Sequence, residues 1–180
     1  YVAVTMVARQ GDSRYDRIAV VDADLCTGCG ICVGTCPTHT PFGRQGEIGT
    51  GIDLDGFPLG SLHQRLQSEL GELDGLAAGH RIAVFGCQHA ADVETLGLEG
   101  VVGINLPCIA TLPPALIDHL LVDGWAEGVL ITGCRNGECF NRLGVIWTEQ
   151  RLDGSRETFL RTRTEQRRLA VHWAAAYQRP

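Results

Sequence analysis

The chain predicts two architectures in succession: an α+β module at its start, then a small α/β domain with a short parallel sheet. Three observations carry this reading. Two alternating β-branched runs flank a turn and lead straight into a loop holding four cysteines. A stretch dense in glycine and proline follows, from 41 to 60. From residue 81 onward, apolar β-rich runs alternate with helical patterns, which is how a parallel sheet with crossover helices is written. With 180 residues there is room for one ordinary domain or two small ones.

The first strands are Tyr1–Val7, within "YVAVTMVAR", and "RIAVV" at 17–21, with "QGDS" supplying turn chemistry between them. Behind them stands "DLCTGCGICVGTCPT", in which Cys26, Cys29, Cys32 and Cys36 have the spacing C-x2-C-x2-C-x3-C and Pro37 follows. This is the run with which bacterial ferredoxins hold a [4Fe–4S] cubane on four thiolates. Gly28, Gly30 and Gly34 allow the loop to wrap tightly, so that backbone amides point at sulfur. A zinc knuckle or a pair of disulfides is the plainer alternative, but zinc sites pair two separated C-x2-C arms and here the cysteines form one run. A hairpin feeding such a loop makes 1–45 a ferredoxin-like module. In two-cluster ferredoxins a strand like Tyr1–Val7 comes directly after an earlier C-P, so the start of the chain resembles the second half of such a module and predicts another run upstream. In that form the fourth cysteine of each run serves the other cluster. Cys36 then closes either the cubane of Cys26, Cys29 and Cys32 or a partner cluster, and the spacing does not choose.

Residues 46–78 read as a linker and an amphipathic helix. "SLHQ" at 61–64 has the form of a capping box, and Leu62, Leu66, Leu70 and Leu73 then recur on one helical face up to Asp74-Gly75. The domain at 79–152 contains three apolar runs, "RIAVFGC" (81–87), "VVGINLPC" (101–108) and "GVLITGC" (128–134), each ending in cysteine. Helices are expected between and after them over 89–97, 113–123 and 140–152, with Pro113 and Pro114 suited to a first turn. Residues 153–180 are expected to form a basic C-terminal helix. Ligands of such sheets bind outside the carboxyl ends of the strands, the edge at which the three cysteines fall.

Those three are Cys87, Cys108 and Cys134; Cys139 joins them through "GCRNGEC", a C-x4-C loop of the spacing that opens the plant-type [2Fe–2S] pattern. On residue type alone, the four thiols suit two irons or one zinc about equally. Buried unliganded cysteines are a further reading, since free cysteine is a common core residue. A reactive Cys134–Cys139 pair is another, although this half has no C-x-x-C and neither cysteine has an evident His–Asp partner. His89, two residues after Cys87, offers an iron ligand in the Rieske manner, but four cysteines leave it unneeded. His39, His63, His80, His119 and His172 are scattered and read as surface residues. Arg135 and Asn136, inside the C-x4-C loop, are either hydrogen-bond donors to sulfide or ordinary exposed residues. Trp147 and Trp173 fall on helical stretches and read as packing.

Composition narrows the function classes. The chain is acidic overall at −6, split into −10 over 1–150 and +4 over 151–180, and it contains no lysine. No basic, aromatic-rich face supports nucleic-acid binding. "GTGIDLDG" lacks the third glycine of a dinucleotide fingerprint. No run approaches the roughly 20 apolar residues of a membrane span, and no signal peptide is recognisable. Cysteines kept as thiolate ligands point to the cytoplasm or the cytoplasmic face of a membrane.

"FGCQHAADV", "LPCIATLPPALI", "GWAEGVLITGCRNGECFNRLG" and "WTEQRL" together resemble the delta subunit of methyl-viologen-reducing hydrogenase, an iron–sulfur family also associated with heterodisulfide reductase. The resemblance covers roughly 80–152 and takes in the four cysteines in order. It implies a [2Fe–2S] cluster on Cys87, Cys108, Cys134 and Cys139, and favours iron over zinc there. It also implies an electron-transfer module with no substrate site of its own, relaying single electrons between redox subunits of an oxidoreductase complex. The implied partners are a hydrogenase, a flavoprotein of heterodisulfide-reductase type, or a membrane cytochrome b through which the chain would meet the membrane. The competing class is a non-redox assembly domain with structural zinc in the second four-cysteine site.

Overall fold

The computed structural model describes residues 3–11, 16–37, 51–75 and 81–177. Tyr1, Val2, most of the first turn, His39, His80 and the first half of the glycine-rich stretch lie outside them. Strand β1 (Val4–Ala8) pairs antiparallel with β2 (Arg17–Val21), Val4 opposite Val21 and Ala8 opposite Arg17. This hairpin stands clear of the core: Met6, Ile18, Val20 and Val21 are exposed. It delivers the chain into the cysteine loop and the single-turn helix α1 (Ile31–Gly34).

The body is a four-stranded, wholly parallel sheet in the order β4–β3–β5–β6: β3 is Ile82–Cys87, β4 Val101–Leu106, β5 Gly128–Gly133 and β6 Leu169–Trp173. Buried apolar residues fill β3, β4 and β5, as strands covered on both faces require. Helix α2 (Leu59–Gly71) packs against β4 and α3 (Pro114–Val122) against β5. Leu62, Leu66 and Leu70 of α2, Phe85, Ile104 and Ile131 of the sheet, and Leu116 and Leu120 of α3 share one core, which Val33 of α1 also joins. Helix α4 (Gly144–Leu152) packs against a 3₁₀ turn at Ile109–Thr111. The chain leaves β3 to opposite sides, to β4 first and to β5 later. The carboxyl ends of β3 and β5 therefore flank a topological switch point, the place where ligands of such sheets bind.

Several expectations are corrected. The segment 89–97 is irregular. Asp92 Oδ1 accepts from the Glu94 N–H at 3.0 Å and from Asn105 Nδ2 at 2.5 Å, and Gly97 and Gly100 have φ of 59° and 75°; these side-chain bonds compete with a helical ladder and win. The capping box at Ser61 is not used. Helix α2 begins two residues earlier behind Pro58, and Asp53 Oδ1 accepts the Leu59 N–H at 2.9 Å. In place of the basic helix expected over 153–180, the described residues 153–177 form turns, a 3₁₀ segment and β6. Arg168 donates to the carbonyls of Leu121, Ala126 and Glu127, holding "LAVHW" beside β5. Trp173 is thus on a strand, its Nε1 donating to Glu149 Oε1 at 2.7 Å. His119 is buried, with Nδ1 on Asp123 Oδ2 at 2.6 Å and Nε2 3.0 Å from His63 Nε2, so it is no surface residue.

Candidate metal centres

Cys87 is the last residue of β3, and Cys134 follows directly on β5. Neighbouring parallel strands ending at one level bring their sulfurs to 4.0 Å at the switch point. Cys108 lies two residues past β4, where Pro107 turns the chain into the 3₁₀ turn. Cys139 closes its loop just ahead of α4. Gly144, the first residue of α4, is the piece that lets these two in: a methyl there would lie 2.5 Å from Cys108 Sγ and 3.2 Å from Cys139 Sγ. The four thiols thus form one neighbourhood at the carboxyl edge of the sheet. Cys87, Cys108 and Cys134 are buried, while Arg135, Asn136 and Phe140 around Cys139 are exposed.

The surroundings favour thiolate at Cys108. Cys108 is pulled down to about 6, first by a hydrogen bond from Cys87, then by the Ala110 N–H, the Asn141 side chain and the Arg151 charge. Cys87, on the giving end of that bond and buried, is held up as the protonated partner. Burial raises Cys139, against the N–H groups of Val145 and Gly144 at the start of α4. Amide donors aimed at sulfur are what set the potential of an iron–sulfur centre.

Of the first run, Cys26 is exposed, Cys29 and Cys32 are half-buried and Cys36 is buried. Burial raises Cys32, and the neighbouring Cys29 and Cys26 add to the rise, so these three sulfurs share one field. Gly28 and Gly30, with φ of 66° and 68°, provide the left-handed turns that wrap the loop. No disulfide joins any of the eight cysteines.

The two cysteine sets touch, a contact that nothing in their spacing foretells. Thr111 Oγ1, three residues beyond Cys108, donates to the Cys29 carbonyl at 3.0 Å. Ile31, Cys108 and Ala110 form a small apolar cluster, against which Cys29 and Trp147 pack. Gly34 lies so close to the Ala110 carbonyl that any side chain there would collide with it. Arg151 of α4 reaches into the same seam, donating from Nη1 to the Ala110 carbonyl at 2.9 Å.

The donor chemistry fits iron–sulfur groups: thiols throughout, a glycine cradle and buried N–H donors. Among the described residues, no three His, Cys, Asp or Glu converge tightly enough to cage a single ion. His89 serves through its backbone, the carbonyl facing Cys134 Sγ at 3.9 Å while the ring stacks on Phe140. His63 meets His119, and His172 is exposed on β6 opposite Thr132.

A family model for the delta subunit of methyl-viologen-reducing hydrogenase matches residues 82–180, more than half of the chain. The chain belongs to that family. Its match extends past the motifs near 152 to the end of the chain, so β6 falls within it. A 4Fe-4S binding domain matches residues 19–41, which contain Cys26, Cys29, Cys32 and Cys36. This chain is thus a hydrogenase-type delta subunit joined to a 4Fe–4S binding domain, with an iron–sulfur electron-transfer role in a hydrogenase-related complex. No curated protein matches it. Among the described residues no helix is long and apolar enough to cross a membrane.

Sequence reading passed over Gly144, Thr111 and Arg151. The glycine had a local signal, since it stands five residues after Cys139 at the head of a helix. The other two are recognisable only through contacts with residues far away in the chain.

Proposed function

We propose that the chain is a two-centre electron relay. Cys26, Cys29 and Cys32, with Cys36 as a further iron ligand, hold a [4Fe–4S] cluster; Cys87, Cys108, Cys134 and Cys139 hold a [2Fe–2S] cluster. The clusters supply reversible one-electron chemistry, and the protein supplies placement, insulation and tuning. The observation that carries the reading is the seam between the sets: the turn that begins at Cys108 ends in a hydrogen bond to the Cys29 carbonyl. Through-bond continuity of this kind suits electron passage between the centres.

The relay has two open ends. Cys26 is exposed beside the hairpin, and Cys139, half-buried, lies in an exposed loop. One end is assigned to an electron donor and the other to an acceptor. A hydrogenase, a flavoprotein of heterodisulfide-reductase type or a cytochrome b has the matching redox chemistry, and a cytoplasmic location or the cytoplasmic membrane face goes with reduced thiols. On this reading 1–45 is the ferredoxin module, 46–78 its linker and helix, and 79 onward the two-iron domain.

Anaerobic purification followed by iron, zinc and sulfide counts with EPR spectra tests it. The expected content is about six irons per chain, or fewer if the cubane takes a cysteine from an upstream run. One equivalent of zinc with only four irons would overturn the two-iron assignment in favour of a structural second site.

A further inference from the structure

Arg151 is only 1% exposed, yet two of its three guanidinium nitrogens, Nε and Nη2, have no hydrogen-bond partner among the described residues. Nη1 alone is satisfied, by the Ala110 carbonyl. The same nitrogen lies against Gly34 of α1, 2.6 Å from where a Cβ would stand. The guanidinium therefore sits in the seam, between the helix of the first cysteine run and the turn that follows Cys108. Among the described residues, no carboxylate is among the charges acting on it. Those are Arg156, a like charge, and Cys108, the one opposing partner. Arg156 lies with its guanidinium carbon 4.0 Å over the Trp147 ring, and its Nε is also buried without a partner. Trp147 in turn packs against the cluster of Ile31, Cys108 and Ala110, as Cys29 does.

A buried guanidinium left without a counter-charge is strongly unfavourable. The half-buried Arg156 beside it adds a like charge. The arrangement is stable only if anionic charge resides beside them, and the thiolate-bound centres proposed above are the anions within reach. We propose that Arg151, with Arg156 behind it, is the counter-cation of the seam: a positioning residue that favours the reduced, more negative state of the centre on Cys108 and, across Gly34, of the centre on the first run. Its positive charge and its free N–H donors both stabilise an added electron, so they raise the reduction potential.

The inference rests on the two-centre reading, so iron and sulfide are counted first in every variant. Wild-type protein without iron at these cysteines would sink that reading and leave Arg151 with no anion to balance. Given loaded protein, EPR-monitored redox titration compares Arg151→Met, which keeps the length without the charge, and Arg151→Lys, which keeps the charge. Arg151→Met is expected to lower the reduced-to-oxidised ratio of the Cys108 centre at least tenfold at fixed ambient potential, which is a midpoint shift of about −59 mV for one electron. The first-run centre should move the same way by less, and Arg151→Lys should stay near wild type. Arg156→Gln removes a more peripheral charge and should give a smaller shift of the same sign. That variant decides the matter if Arg151→Met does not fold. Unshifted potentials in loaded Arg151→Met, or in loaded Arg156→Gln where Arg151→Met does not fold, would overturn the proposal. So would equal shifts in the Met and Lys variants, because they would report packing and not charge.

Discussion

Gly144→Ala offers the sharpest test of the second cysteine site, because two known effects of the substitution have opposite signs. Alanine is the better helix former, and at an unhindered helical position the change is worth up to about 1 kcal/mol in favour of folding. At Gly144 the added methyl would lie 2.5 Å from Cys108 Sγ and 3.2 Å from Cys139 Sγ. Non-bonded atoms settle at about 3.5–4.0 Å, so Cys108 Sγ must retreat by about 1 Å. Over-packing of this kind costs about 1–3 kcal/mol, which outweighs the gain in propensity. The effect on metal binding is larger than the effect on folding, since a ligand set tolerates about 0.2 Å in its bond lengths. Gly60→Ala in α2 is the control, for nothing lies within 4 Å of its Cβ position. Gly144→Ala is therefore expected to lose the two-iron EPR signal and about two irons per chain, with a Tm lower by several degrees. Gly60→Ala should keep all iron and melt at or above the wild-type temperature. Full iron content with an unchanged spectrum in Gly144→Ala would refute the placement of Cys108 and Cys139 as joint ligands.

Two further outcomes follow from the contacts described. Cys108→Ser should abolish or alter the two-iron signal while the cubane persists with a perturbed line shape, because Cys108 and Cys29 pack into one cluster; an untouched cubane spectrum would argue against electronic contact across the seam. Acidification should loosen the α2–α3 contact. Burial, with His119 beside it, lowers the His63 pKa below its ordinary value, so the unfolded chain takes up the proton first as pH falls. The stability that neutral His63 provides is whole above about pH 6.5 and declines below it. Thermal melts between pH 8 and pH 5.5 should show that decline in wild type and a shallower one in His63→Gln.

Features that depend on neighbours in the chain were legible from the start. The cysteine spacing, the hairpin into the loop, the three apolar strands and the start of α3 at its two prolines each follow from short-range rules, since a strand alternates and a ligand loop counts residues wherever it lies. The family resemblance rested on the same local words, and the family match bears it out. Features decided between distant segments were not legible. Residues 89–97 have helical composition, yet the Asp92 carboxylate reaches Asn105 on another strand and the helix never forms. The tail reads as a basic helix, yet Arg168 finds three carbonyls some forty residues back and turns "LAVHW" into the last strand of the sheet. The sequence by itself determined where the two sets of four thiols fall in the chain; only the tertiary structure decided that they touch. That contact joins Thr111 to Cys29 across more than eighty residues and buries Arg151 with no acid beside it among the described residues, and no periodicity encodes a meeting that exists only once the sheet and the cysteine loop have packed together.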